Sequence, residues 1–232
     1  MSISDSIRSQ LAPVHPEGYP FVGGMALVSL VLFWLWPPLG WIGTIVTAWC
    51  AYFFRDPRRV TPQRDGLIVA PADGRVSQLV LAVPPIEMGL SEKQLPRVSI
   101  FMSVFDCHVN RSPVSGRVER MVYRAGKFIS ADLDKASEDN ERNGLVIATA
   151  GARIGVVQIA GLIARRIVPF VREGQAVMAG DRIGMIRFGS RVDVYLPENT
   201  RPMVAEGQLA IAGETVIADL RPADIGRNYR TS

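Results

Sequence analysis

Ser190 directly follows Gly189 in the middle of GMIRFGSRVDVYLP (184–197), where two alternating apolar and polar runs are interrupted. Each run alone has the pattern of a half-buried β-strand. A glycine inside such a pattern marks a bulge, a bend or a close backbone approach. A glycine before a serine also has a chemical use, because it removes the side chain beside a carbonyl and permits a strained backbone there. If a base takes the Ser190 proton, Oγ can attack the Gly189 carbonyl and turn the peptide into an ester. Elimination then cuts the chain, and loss of ammonia from the new N-terminus leaves a pyruvoyl group. The plainer alternative is a β-bulge with an exposed serine.

That chemistry needs a base. The chain has two histidines, His15 and His108. His108 lies in FMSVFDCHVNRSPVSG, where an apolar run ends at Phe105 and a polar loop carries Asp106, His108, Asn110 and Arg111. Imidazole is the side chain whose unperturbed pKa suits proton transfer near neutrality. Asp73, in APADGRV, could orient and polarise His108 as the third member of a triad. Each residue has an ordinary reading as well: Asp73-Gly74 is a common turn signal, and a lone histidine is more often structural than catalytic. No GxSxG elbow is present, so an α/β-hydrolase has no support.

With two histidines and two cysteines, Cys50 and Cys107, no cluster has zinc-ligand spacing. A metal site built by the protein is not expected. Two cysteines make no disulfide framework, and a reducing compartment follows as the default. The net charge of +4 is carried mostly by arginine, with lysine only at Lys93, Lys127 and Lys135. That balance suits an anionic partner such as membrane phosphate or nucleic acid. The arginines are scattered and no aromatic-studded basic strand is present, which places nucleic-acid binding last.

The chain divides by composition into an N-terminal segment, 1–60, and a β-rich region, 61–232. Residues 18–54 contain no charged side chain. As one helix they would span roughly 55 Å, well beyond a bilayer core. Pro37-Pro38 should therefore break the run into a helical hairpin, with Trp34, Trp36, Trp41 and Trp49 as interfacial anchors. A buried hairpin of a soluble protein is the alternative. The basic RDPRR at 55–59 would keep the remainder on the cytoplasmic side of an inner membrane. Beyond Thr61 short apolar runs alternate with Gly, Pro and Asp turns. They predict a mainly β, α+β fold, an antiparallel barrel or sandwich resembling the barrel-sandwich hybrid, with a helix only at LIARRIVPFV (162–171). EGQAVMAGDRIGMIRF and EGQLAIAGETVIADL look like two related turns of one barrel.

The segments HPEGYPF, FRDPRR, VAPADGRV, SIFMSVFDCHVNRSPVSG, GARIGVVQIAGLIARRI and GMIRFGSRVDVYLP together resemble the short bacterial and archaeal form of the phosphatidylserine decarboxylase family. They span nearly the whole chain; QIAGLIARRI and FGSRVDVYLP are the specific ones. The resemblance implies a proenzyme that cuts itself between Gly189 and Ser190 into a β-chain, 1–189, and an α-chain, 190–232, headed by pyruvoyl. It implies that Asp73, His108 and Ser190 form the processing triad. It also implies conversion of phosphatidylserine to phosphatidylethanolamine and CO₂ through a Schiff base to the pyruvoyl, the one cofactor, with no metal. Longer relatives carry a second histidine where this chain has Arg111. Arg111, Arg187 and Arg191 are candidate contacts for the lipid phosphate. The expected partners are phosphatidylserine, membrane lipids and the protein's own cleaved chains, with a homo-oligomer left open and no nucleic acid.

Two other readings fit the same residues. One is a membrane-anchored, non-enzymatic barrel similar to lipoyl-type adaptor domains, in the style of the barrel-sandwich hybrid; no attachment lysine sits at a hairpin tip. The other keeps the pyruvoyl enzyme and changes the serine lipid it acts on.

Overall fold

The computed structural model describes residues 12–126, 140–161, 166–187 and 190–221. The chain forms two compact units, Met1–Arg58 and Arg59–Ser232.

In the first unit a 3₁₀ turn at Pro16–Gly18 leads into α1 (Tyr19–Leu35), and α2 (Pro37–Phe53) follows after Trp36. Trp36 is extended, and Pro37 and Pro38 occupy the first positions of α2. The two prolines thus start the second helix, where a missing N–H costs nothing. The helices pack through small residues. A Cβ on Gly40 would lie 2.2 Å from the Phe33 ring, and one on Gly43 would lie 2.7 Å from Ser29 Oγ. Ser29 and Thr47 hydroxyls meet at 3.1 Å across the pair. The ends are closed by hydrogen bonds from His15 N–H to the Phe54 carbonyl and from Asp56 N–H to the Pro13 carbonyl. The outward faces stay apolar on both helices, with Leu30, Trp34, Trp41 and Ile45 all exposed and Trp34 at 86%. The helical stretch Pro16–Leu35 has a mean hydropathy of 1.7 and is long enough to cross a bilayer.

The regular structure described in the second unit is β-strand apart from a 3₁₀ turn at Ile86–Met88. Its strands are β1 (Leu67–Val69), β2 (Gly74–Ala82), β3 (Leu95–Met102), β4 (Val109–Arg111), β5 (Gly116–Arg124), β6 (Arg142–Thr149) and β7 (Ala152–Ala160). Then come β8 (Arg166–Pro169), β9 (Ala176–Val177), β10 (Arg182–Arg187), β11 (Ser190–Tyr195), β12 (Leu209–Ala210) and β13 (Val216–Asp219). An eight-stranded antiparallel sheet runs β12-β2-β3-β11-β7-β6-β5-β9 and curls into a half-barrel. A three-stranded sheet, β4-β10-β8, and the pair β1-β13 complete the unit. The expected mainly β architecture is present. One expectation is corrected: of LIARRIVPFV, residues 166–169 are strand, because β8 pairs with β10 from Arg187↔Arg166 to Gly184↔Pro169. Pro169 is tolerated because β8 is an edge strand. Residues 162–165 lie outside the described set.

The large sheet has a pseudo-two-fold between β11 and β7. β2 and β5 each begin at a glycine whose added Cβ would lie 2.1 Å from a neighbouring carbonyl, that of Phe101 for Gly74 and of Ala148 for Gly116. Each strand bulges after two residues, at Val76/Gln78 and at Val118/Arg120. The two Glu-Gly-Gln turns repeat as well. Glu206 accepts from Leu79 N–H as Glu173 accepts from Met121 N–H. Gly207 and Gly174 both take the positive φ that their turns require. The operation places Asp73 on Ser115, Ser190 on Ala152, and Gln158 on Leu196.

β11 is held on both sides. Ser190 to Tyr195 pair with β3 and with β7 along the whole strand. On the face away from the barrel core, the buried Arg191 lies 3.0 Å from the Asp193 carboxylate, with Arg97 3.9 Å away. Burial, and after it the Asp193 charge, pushes the nearby Tyr195 hydroxyl up. Removing Asp193 would strand a guanidinium away from water. Asp193→Ala should therefore cost about 3–5 kcal/mol, measured by urea unfolding in a Ser190→Ala background where the chain is intact. The β1-β13 pair adds an ion pair between Arg64 and Asp219. Burial pushes the Asp219 carboxyl up, but the Arg221 N–H and the Arg64 guanidinium outweigh it and hold the group below its ordinary value.

Candidate active site

Ser190 opens β11, and its neighbours across the ladder are Met102, the last residue of β3, and Ala160, the last of β7. Alternation puts Ser190, Val192 and Val194 on the core face and Arg191, Asp193 and Tyr195 on the other. Ser190 is fully buried, and its Oγ has no hydrogen-bond partner among the described residues. A buried hydroxyl without a partner costs free energy. Such a group calls for an explanation beyond packing. The chain leaves one sheet at Arg187 and enters another at Ser190. The interruption in GMIRFGSRVDVYLP is thus a change of sheet, and Phe188 and Gly189 themselves lie outside the described residues.

His108 comes to the same end of the sheet by two routes. Its loop leaves β3 at Met102, beside Ser190, and its own carbonyl accepts from Ile186 N–H on β10 at 3.2 Å. The loop is braced by Asp106, whose carboxylate accepts from Ser103 N–H at 2.7 Å and Ser103 Oγ at 2.8 Å. The Asp106 carbonyl lies 3.0 Å from His108 Nδ1. A carbonyl can only accept, so Nδ1 carries the proton and, in neutral imidazole, Nε2 carries the lone pair. Sequence reasoning assigned the orienting role to Asp73 alone and missed this backbone acceptor.

Asp73 immediately precedes Gly74, which packs on Met102. Its Oδ1 accepts from Ala212 N–H at 2.8 Å, and its Oδ2 pairs with Arg59 Nη2 at 2.6 Å. The pseudo-two-fold separates these roles. Ser115 Oγ accepts from Ala179 N–H at 2.9 Å in the matching turn, so the bond to Ala212 belongs to the fold. What Asp73 adds is a charge. Asp73 is not a hairpin turn: β1 pairs with β13 and β2 with β3 and β12. Next to Asp73, Arg111 N–H donates to the Pro71 carbonyl at 2.8 Å and fixes β4 against this segment.

The arginines separate. Arg111 donates from Nη1 to the Gly180 carbonyl at 2.8 Å and is buried between the two repeated turns. Arg191 is buried on Asp193, on the opposite face of β11 from Ser190. Each of these two expected phosphate contacts is bonded within the protein. Arg187 is half-buried at the end of β10, directly opposite Arg166 on β8. Like charges facing each other across strands repel, an arrangement that favours an anion between them. Arg166 was not nominated from sequence.

Sequence reasoning also missed Gln158. On the core face Asn143 Nδ2 donates to Gln158 Oε1 at 2.9 Å, and Gln158 Nε2 donates to Asn110 Oδ1 at 2.8 Å. Asn110 Nδ2 reaches Met102 Sδ at 3.6 Å. All three amides are fully buried. No group of three or more possible metal-ligating residues occurs among the described residues. A cleft of about 680 Å³ opens instead at the pseudo-equivalent end of the sheet, lined by Ser115, Thr149 and Ala179 among others. That end has Ser115 and Ala152 where the first has Asp73 and Ser190, and so lacks both the Asp73 carboxylate and the Ser190 hydroxyl.

Comparison with known proteins identifies the family. A family model described as phosphatidylserine decarboxylase matches residues 46–218. A phosphatidylserine decarboxylase proenzyme of Nitrobacter winogradskyi is 65% identical over 228 residues, covering 98% of this chain and 92% of that protein. The chain belongs to the phosphatidylserine decarboxylase family.

Proposed function

We propose that the protein decarboxylates phosphatidylserine to phosphatidylethanolamine with a pyruvoyl group that it makes from Ser190 by cutting its own chain. The observation that carries this reading is the buried Ser190 Oγ, without a hydrogen-bond partner among the described residues, at the sheet end that also holds Asp73 and the His108 loop. His108 Nε2 takes the Ser190 proton, and Oγ attacks the Gly189 carbonyl. The amide nitrogen leaves that carbon and picks up a proton, giving an ester. Loss of the Ser190 α-proton expels the Gly189 carboxylate. The resulting enamine takes up water and releases ammonia, which leaves the ketone. Asp73 favours the imidazolium through its charge, with its Oδ2 held by Arg59.

The residues fit a pyruvoyl. Ser190 lies against the small Ala160 and next to Met102, and among the described residues its hydroxyl makes no hydrogen bond that conversion would break. When formed, the group supplies an electrophilic carbonyl for the substrate amine and a sink for the electron pair left by CO₂. The chain's residues do the rest. Burial at this end of the sheet disfavours the charged carboxylate. Arg187 and Arg166 take the headgroup phosphate through their forked donors. His108 returns a proton to the α-carbon.

After the cut β11, β12 and β13 belong to the small chain, held by β3, β7, β2 and β1. The apolar hairpin of the first unit enters the inner membrane, with the second unit on the cytoplasmic side. Its exposed faces are a membrane-contacting surface, and its substrate is itself anchored in the bilayer. All four tryptophans of the chain lie in this hairpin, so their fluorescence reports its environment alone. Vesicles containing phosphatidylserine labelled at the serine carboxyl should blue-shift the emission and release labelled CO₂. Cleaved protein that binds the vesicles and releases no CO₂ would overturn the substrate. Release without an emission shift would overturn the anchor.

A further inference from the structure

The core face of a barrel is a poor place for amides, since each must find partners or lose free energy. Here a row across the sheet reads Asn143, Gln158, Val192, Ile100 and Val76. The pseudo-two-fold gives an internal comparison for that row. Its equivalent contains Leu196, buried in the core cluster and bonded through its N–H to the carbonyl of Pro96. The fold therefore builds this row without amides when nothing else is asked of it. Gln158 stands where Leu196 stands, and Asn143 where Pro96 stands.

The amide row lies one step along the strands from the row Ala160, Ser190 and Met102, about 7 Å away. Its hydrogen bonds run from Asn143 to Gln158 to Asn110 and end on Met102, the residue paired with Ser190. Asn110 belongs to β4, two residues beyond His108. β4 is outside the large sheet and, among the described strands, pairs with β10 alone. Gln158 also abuts β10, where a Cβ on Gly184 would lie 2.8 Å from its Nε2. The Gln158–Asn110 bond is thus a fixed point between the small sheet that carries His108 and the large sheet that carries Ser190.

We propose that Gln158 is a positioning residue for the chemistry at Ser190: through Asn110 it sets β4, and with it His108, over the core face where β11 begins. This rests on the reading of Ser190 as the self-cleaving residue. Asn143 is the far rung of the same ladder, and its loss leaves the Gln158–Asn110 bond in place.

The test compares Gln158→Leu, which copies Leu196, with Asn143→Leu. Gln158→Met, which keeps the side-chain length, is carried alongside in case the leucine variant folds poorly. Self-cleavage is timed on freshly translated full-length chain. In parallel, each variant is made in a Ser190→Ala background with ¹⁵N-labelled histidine; with two histidines in the chain, the ring signals of His108 are readily separated. Gln158→Leu and Gln158→Met should cut on the order of 10²-fold more slowly, the cost of a displacement of about 1 Å, and should shift the His108 ring nitrogens. Asn143→Leu should do neither beyond about threefold, a difference too small for displaced catalytic groups. Wild-type cleavage rates and unmoved His108 signals in both Gln158 variants would overturn the proposal. Equal slowing by Asn143→Leu would do the same, since the ladder would then be a stability element only. A wild-type chain that does not cut would instead remove the reading of Ser190 beneath it.

Discussion

Ser190→Ala should run as one uncut chain and release no CO₂ from phosphatidylserine above the uncatalysed level, while folding as the parent does. The substitution removes one oxygen atom from a buried position where that oxygen has no partner among the described residues. No hydrogen bond among the described residues is lost, and the β11 ladder to β3 and β7 is made by backbone groups that alanine keeps. Stability should stay within about 0.5 kcal/mol or rise, because an unsatisfied buried hydroxyl is costly. This pairing of full loss of activity with an unchanged melt separates a reacting serine from a structural one. A cut chain in Ser190→Ala, by gel or by mass, would show that cleavage does not use this hydroxyl. Melting many degrees below the parent would show that Ser190 supports the fold.

The second large effect belongs to His108. His108→Ala should slow self-cleavage by about 10²–10⁴-fold, the range for removal of a positioned general base. The ring is fully buried and its Nδ1 is held by the Asp106 carbonyl, which leaves Nε2 as the proton-accepting nitrogen. Asp73→Asn should have a smaller effect. It removes the charge that favours the imidazolium but keeps an oxygen for Ala212 N–H, the bond that Ser115 makes in the matching turn. Cleavage timed from newly made chains gives both rates. If Asp73→Asn were slower than His108→Ala, the base assignment would pass to the carboxylate.

Much of this was legible in the residues. Alternation gave most strands, and the parity of VDVYLP carries more than was first taken from it. Ser190 shares parity with Val192 and Val194, whereas Arg191 shares it with Asp193 and Tyr195, so Arg191 could have been set aside as a partner of Ser190's ligand. LIARRIVPFV misled because a short apolar run has no length to arbitrate between helix and strand; the pairing of β8 with β10 decides it. Gln158 has a sequence signal as well. In ARIGVVQIA both parities are apolar, which marks a strand buried on both faces and makes the glutamine conspicuous. The Asp106 carbonyl had no sequence signal, since a backbone acceptor leaves no trace in residue identity. The sharing of one end of the sheet by Asp73, His108 and Ser190 depends on non-local pairing that no local pattern encodes.

The most direct measurement is the intact mass of the purified wild-type protein under denaturing conditions. The account predicts two species meeting between Gly189 and Ser190, with the smaller one lighter by one ammonia than a serine-led fragment of the same length. A single full-length mass from folded wild-type protein, or a small fragment that still begins with serine, would contradict it.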